Sequence, residues 1–131
     1  MIVLDTSAAL DLLITPQKVP ELRLQLHVND VRPHAPEALI TELFGVVRRS
    51  ERTGEITADE AFQRLARFLS LQVRTHSHAS LMPRIWNLRH NFTIEDAAFV
   101  ALAEYLACPL ATTDRGLARA VRQFVPKVQL L

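Results

Sequence analysis

Cysteine is nearly absent. Cys108 stands alone in the apolar run Tyr105-Leu106-Ala107-Cys108-Pro109-Leu110, so no internal disulfide can form. That usage fits a reducing compartment and a structural role for the thiol. Glycine is scarce, at 3 residues, which argues against an all-β chain built on many tight turns. Aromatics are 6% of the chain, so a core must come from Leu, Ile, Val and Ala. No run of about 18 apolar residues occurs, since the longest candidate, 97–111, is broken by Glu104, and this excludes a membrane-spanning helix. The start, Met1-Ile2-Val3-Leu4-Asp5, lacks a basic segment and meets an acid at position 5, unlike a secretory leader; a cytoplasmic location is expected. Excess charge is lacking too: at +1 net, bulk electrostatics do not announce a polyanion partner. Lysine is rare, Lys18 and Lys127 standing against 13 arginines. Arginine suits bidentate phosphate recognition, although GC-rich codon usage leaves the same trace.

What is present is apolar patterning. Hydrophobic residues make up 49% of 131 positions, enough for one domain spanning 1–131 with a real core. Ile2-Val3-Leu4 reads as a strand buried on both faces, ending at Asp5-Thr6-Ser7. Helical spacing follows in Ala8, Ala9, Leu12 and Leu13 and stops at Thr15-Pro16. A second helix is predicted over 20–28, a short strand over 31–35, and a long helix opened by Pro36-Glu37 and closed after Arg52 by Gly54. Thr57-Ala58-Asp59-Glu60 forms a capping box leading Phe62, Leu65, Ala66 and Leu69 down one face. A weak strand is predicted over 71–74, and helices over 80–90 and from Thr93 to Ala107. Pro109-Leu110-Ala111-Thr112 reads as a strand, 115–124 as a helix and 128–131 as a last strand. Strands alternating with helices imply a three-layer α/β/α fold with a mostly parallel central sheet of 4–5 strands.

Ligands of such sheets bind beyond the carboxyl ends of the strands, where Asp5 and Asp114 are expected. Each alone is also a good helix cap. Asp96 has a similar double reading: Thr93-x-x-Asp96 resembles a capping box, yet Asp96 shares a stripe with apolar Phe99, Val100 and Ala103. Glu42 is harder to explain locally. It lies on a stripe with Leu39 and Val46, in a helix expected to bury Leu39, Ile40, Leu43, Phe44, Val46 and Val47. A carboxylate there is costly unless it meets a cation, whether Arg48, Arg49, a distant Arg or a metal.

These acids, in this order and spacing, resemble the PIN-domain nucleases, and within them the VapC-type toxins of bacterial toxin–antitoxin pairs. The likeness spans nearly the whole chain. It is carried by Ile2-Val3-Leu4-Asp5-Thr6-Ser7-Ala8, Thr41-Glu42-Leu43, Ile94-Glu95-Asp96-Ala97-Ala98-Phe99-Val100-Ala101-Leu102-Ala103 and Pro109-Leu110-Ala111-Thr112-Thr113-Asp114-Arg115-Gly116-Leu117-Ala118. The resemblance implies that Asp5, Glu42, Asp96 and Asp114 form an acidic cluster with the Thr112 hydroxyl beside it. Similar proteins often carry one more acid or Asn just after the last Asp; here those positions are Arg115, Gly116 and Leu117. It further implies a VapB-type antitoxin, an RNA substrate such as tRNA or rRNA, and a homodimer.

Four carboxylates cannot share one place unaided. At about 5 Å and an effective dielectric near 20, each pair repels by roughly 3 kcal/mol. Such a cluster takes up protons or binds cations, and hard oxygen donors without nearby His or Cys point to Mg2+, with Mn2+ as a substitute. The expected chemistry is metal-assisted phosphodiester hydrolysis, Asp5 and Asp96 being the chief ligands and Glu42 or Asp114 orienting water. Arg115, Arg119 and Arg122 recur at helical spacing beside Asp114 and are candidates for holding the RNA backbone. Trp86, flanked by Arg84 and Arg89, is either a base-stacking ring or a core residue with Leu81, Ile85 and Leu88, the core being the commoner outcome. His76-x-His78 is a poor metal signal. The alternatives are a PIN nuclease of RNA maturation or DNA processing without an antitoxin, and a non-enzymatic signalling module. A receiver-type module needs neighbouring acids after the first strand, and a phosphatase needs Asp-x-Asp; Thr6-Ser7 supplies neither.

Overall fold

A computed structural model describes residues 1–131. Strand β1 is Ile2–Leu4, fully buried, and it runs straight into helix α1, Thr6–Ile14. A short 3-10 turn, Pro16–Lys18, leads to α2, Pro20–His27, and β2, Pro33–Pro36. Two helices follow, α3 (Ala38–Arg52) and α4 (Ala58–Ser70), then β3 (Arg74–His76). Helices α5 (Met82–Leu88) and α6 (Ile94–Leu106), strand β4 (Leu110–Ala111) and helix α7 (Arg115–Phe124) complete the chain.

All four strands are parallel, in the order β3-β2-β1-β4. The chain builds outward from β1 through β2 to β3, then returns to place β4 on the other side of β1. With right-handed crossovers, that reversal puts the helices before and after it on opposite faces. Helices α1, α3 and α4 accordingly pack together, while α6 lies across β1, β2 and β4 under α5. Every residue of α6 from Ala97 to Ala103 is buried, as a helix sandwiched between a sheet and another helix must be. The gap between β1 and β4 is the topological switch point, where such sheets hold their ligands.

The observed elements depart from the sequence reading in several places. Pro36 ends β2 instead of opening α3; its missing N–H is harmless in that last strand position, and α3 starts at Ala38. The third strand lies at 74–76 rather than 71–74, set by pairing of His34, Ala35 and Pro36 with Arg74, Thr75 and His76. The expected last strand is a single bridge, Leu110 to Leu130. On α4 the capping box forms as read, but Ala61 and Phe68 are buried while Phe62 and Leu69 are 73% and 67% exposed. Ile40 and Phe44 on α3 are likewise partly exposed.

Helix α6 ends at Ala107 in the left-handed region, φ 48°, a conformation that glycine adopts without the Cβ penalty. Ala107 is exposed, so Ala107→Gly loses no packing there. It is expected to stabilise the fold by about 1 kcal/mol, read as a raised midpoint in urea.

A second local feature sets a pH response. His34 on β2 is buried, and its Nδ1 lies 2.8 Å from His76 Nε2 on β3, with the rings stacked. Burial, then the positive charges of His76, Arg74, the α-amino group and Arg32, hold His34 below its ordinary 6.5; burial and then Arg74 do so for His76. The unfolded chain therefore binds these protons more tightly. The contribution to stability is complete above pH 6.5 and is lost as pH falls from there through the depressed folded values. The thermal midpoint should drop between pH 7.5 and 5.5, and drop less in His76→Gln.

Candidate active site

The carboxyl ends of β1 and β4 lie side by side, with Val3 opposite Leu110 and Leu4 opposite Ala111. The Asp5 amide donates to Ala111 O at 3.1 Å, which puts Asp5 level with the start of the β4 loop. Asp5 is 4% exposed, and its carboxylate does the work of a helix cap, Oδ1 accepting from the Ala8 amide at 2.7 Å. Asp114 caps α7 in the same way, Oδ1 accepting from Gly116 and Leu117 amides at 2.7 and 3.0 Å. A Cβ at Gly116 would lie 3.1 Å from that oxygen, so any side chain there would press on the Asp114 cap. At the start of α6 the capping is done by Thr93, whose hydroxyl accepts from the Asp96 amide at 3.1 Å. Capping and ligation are thus compatible, because a carboxylate has more lone pairs than a cap uses.

The negative charges press on one another. Burial, and then the charge of Asp114 among smaller effects, raises the Asp5 carboxyl above its ordinary 3.8, against hydrogen bonds from Ala8, Thr112 and Ser7. Burial raises Asp96 as well, opposed by Thr93 and reinforced by Asp114 and Glu95. The charge of Asp114 acts on both Asp5 and Asp96. Glu42 reaches the same end of the sheet from α3 and accepts a short hydrogen bond at Oε2 from the Thr6 hydroxyl, next to Asp5. No arginine pairs with Glu42; the two ion pairs in the protein are Lys18–Asp11 and Arg84–Glu104. Its other oxygen, Oε1, is buried and has no partner.

A buried carboxylate oxygen without a donor is the feature a cation or its bound water would satisfy. The donor set is all hard oxygen, which suits a divalent cation of the magnesium type. No three His, Cys, Asp or Glu side chains close into a ready cage. A cage is not required, because Mg2+ keeps several waters and takes only one or two carboxylates directly. The residues present therefore fit such an ion, with Asp5, Asp96, Asp114 and Glu42 as the acids that would hold it or its waters.

Sequence reasoning quoted Ser7 without giving it a role, and the structure makes it the hub of the site. Its hydroxyl donates to Asp5, 2.8 Å from Oδ1 and 3.0 Å from Oδ2, and accepts from the Thr113 and Asp114 amides at 2.9 and 3.1 Å. Thr112 joins this network: its Oγ1 is 3.3 Å from Ser7 Oγ and accepts from the Asp114 amide at 3.1 Å. The available signal was two hydroxyl residues directly after a buried strand. On α7, Arg115, Arg119 and Arg122 line a cavity of about 380 Å³ with Thr112, Thr113 and Asp114. Trp86 is not core: Leu81, Ile85 and Leu88 are buried, while Trp86 is 60% exposed. His76 pairs instead with His34 on β2, ring nitrogen to ring nitrogen at 2.8 Å.

A family model described as the PIN domain matches residues 2–123. The chain is 37% identical over 120 residues to Ribonuclease VapC12 of Mycobacterium tuberculosis, covering 92% of each chain. It is 33% identical over 117 residues to VapC ribonuclease Mb0985 of Mycobacterium bovis, covering 89% of this chain and 88% of that one. Among solved structures, the fold is similar to that of PAE2754 from Pyrobaculum aerophilum, with a TM-score of 0.67 at 20% identity, over 91% of this chain and 83% of that one.

Proposed function

From the premise that this chain belongs to the PIN-domain family, we propose that it is a divalent-metal-dependent endoribonuclease, the toxin of a VapBC-type pair, folded as a single PIN domain over 1–131. What supports the reading is that the charge of Asp114 reaches both Asp5 and Asp96 near the switch point, with the partnerless Glu42 Oε1 on the carboxylate that Thr6 holds next to Asp5. The relatives' names speak for ribonuclease and for VapC.

Mg2+ is the assigned ion, Mn2+ its substitute; when bound, it polarises a phosphate and lowers the pKa of its water. The protein's own groups do the rest. Asp5 and Asp114, fixed by their caps, and Asp96, fixed by the start of α6, would hold the ion or its waters. Glu42, oriented by Thr6, keeps Oε1 available to hold the attacking water and take its proton. Arg115, Arg119 and Arg122 lead away from Asp114 as a track for backbone phosphates. Thr112 and Ser7 position Asp5 and Asp114.

A VapB-type antitoxin and a second copy are the assigned protein partners. The exposed Phe62 and Leu69 of α4 offer apolar area for such contacts. No helix is long and apolar enough to cross a membrane, and we assign the protein to the cytoplasm. The test is expression in cells alone, together with any short reading frame found adjoining its gene, and as Asp5→Asn. Growth arrest only in the first case is expected; arrest by Asp5→Asn as well would overturn the assignment.

A further inference from the structure

All 14 acidic residues lie outside one stretch. From Ala61 to Ile94, 34 residues run without a single Asp or Glu, yet hold five arginines (Arg64, Arg67, Arg74, Arg84, Arg89) and three histidines. The net charge of +1 conceals this segregation. The stretch includes α5, whose buried side is Ile85 and Leu88 and whose outer side shows Met82, 61% exposed, and Trp86. These two are four residues apart and share a stripe with Arg89.

Arg89 is placed over the indole, its guanidinium carbon 4.4 Å from the ring centroid, and it donates to Trp86 O at 2.8 Å. It has no carboxylate partner, whereas Arg84 on the same helix is engaged by Glu104 at 2.7 and 2.9 Å. That ion pair joins the start of α5 to the end of α6. The two helices therefore form an antiparallel hairpin whose turn end carries both Arg89 and, in the first turn of α6, Asp96. An exposed indole stacked with an uncompensated guanidinium, in an acid-free stretch and at the end of the hairpin that bears an active-site acid, is what single-stranded nucleic acid uses: a flat apolar face for a base and a cation for the phosphate beside it.

We propose that Trp86 and Arg89 form a stacking subsite for a base of single-stranded RNA, next to the acids on the Asp96 side. A base adds to the stack that Arg89 and the indole already make. The subsite adds to the nuclease reading without depending on catalysis. It gives the site a second arm, with the α7 arginines following Asp114 and the α5 platform at the α5–α6 turn that precedes Asp96.

Trp86 is the only tryptophan, so its fluorescence reports the subsite directly. A short single-stranded RNA is titrated into the Asp5→Asn protein in chelator, at two salt concentrations, with Trp86→Ala, Trp86→Phe and Arg89→Gln followed by competition with a labelled RNA. Expected are quenching that saturates with RNA and weakens at high salt. Affinity should fall about 10-fold in Trp86→Ala, at the scale of one lost base stack, fall in Arg89→Gln, and be partly kept in Trp86→Phe. Unchanged fluorescence on RNA binding, or equal affinity for all variants, overturns the proposal. So does an indole signal that depends on protein concentration and not on RNA, which marks the face as covered by a second copy. Cleavage without quenching removes the subsite and leaves the nuclease; quenching without cleavage by the unsubstituted protein does the reverse.

Discussion

Asp5→Asn is expected to lower RNA cleavage by at least about 10²-fold, the scale of losing one preorganised stabiliser of transition-state charge, while raising the thermal midpoint. The two effects have one origin. The folded protein holds Asp5 above its ordinary 3.8, chiefly through burial, with the charge of Asp114 adding to it. A carboxyl whose folded pKa is raised contributes stability that is complete below 3.8 and is lost as pH rises through the folded value. At neutral pH the ionised form is therefore a burden that the fold carries for the sake of the site. Asn keeps an oxygen to accept the Ala8 amide and removes the charge. In chelator near pH 7.5 the midpoint should rise by a few degrees, and added divalent cation should raise the unsubstituted protein and not the variant. A midpoint that does not rise in Asp5→Asn would contradict the account of Asp5 as a buried charge that the fold carries for the site.

Ser7→Ala carries the second large effect. A serine hydroxyl has one proton to give and two lone pairs to fill. Here the proton goes to Asp5 and the lone pairs take the Thr113 and Asp114 amides, so one oxygen ties β1 to the loop after β4. Alanine cuts that tie. The Asp114 amide keeps Thr112 Oγ1, but the Thr113 amide loses its acceptor and Asp5 loses a donor. Supporting partners of metal ligands are typically worth 10–100-fold, and kcat should fall by about that factor with the KM for RNA little changed. A merely structural role would lower the thermal midpoint without splitting kcat from KM. Divalent-ion affinity by calorimetry should weaken in Ser7→Ala and recover in part in Ser7→Thr.

The architecture was legible because its signals are local. A three-residue apolar run before Asp5 can be buried on both faces only in a parallel sheet, and α6 is apolar on nearly every side because it is buried on nearly every side. Asp5 and Asp114 were visible as acids at strand ends, and their capping role is real, not a rival explanation. Glu42 was recognisable as misplaced, and its neighbour proved to be a hydroxyl, Thr6, 36 residues away. What stayed hidden depends on packing. Helix α4 has two apolar stripes, one through Ala61, Leu65 and Phe68 and another through Phe62, Ala66 and Leu69; both satisfy helical spacing, and only contact with α1 and α3 selects the first. Trp86 shares a helix with buried Ile85 and Leu88, so periodicity alone could not say that it faces out. Ser7 was hidden for the same reason, since three of its partners lie more than 100 residues away.

The most direct test of the site is cleavage of a structured RNA by the purified chain, in Mg2+, in chelator, and with Mg2+ restored to excess. Expected is cutting in the first, none in the second, full recovery in the third, and none at any stage with Asp114→Asn, which removes the charge that both Asp5 and Asp96 feel. Cutting that persists in chelator, or that survives Asp114→Asn undiminished, would contradict a metal-dependent reaction at these four acids.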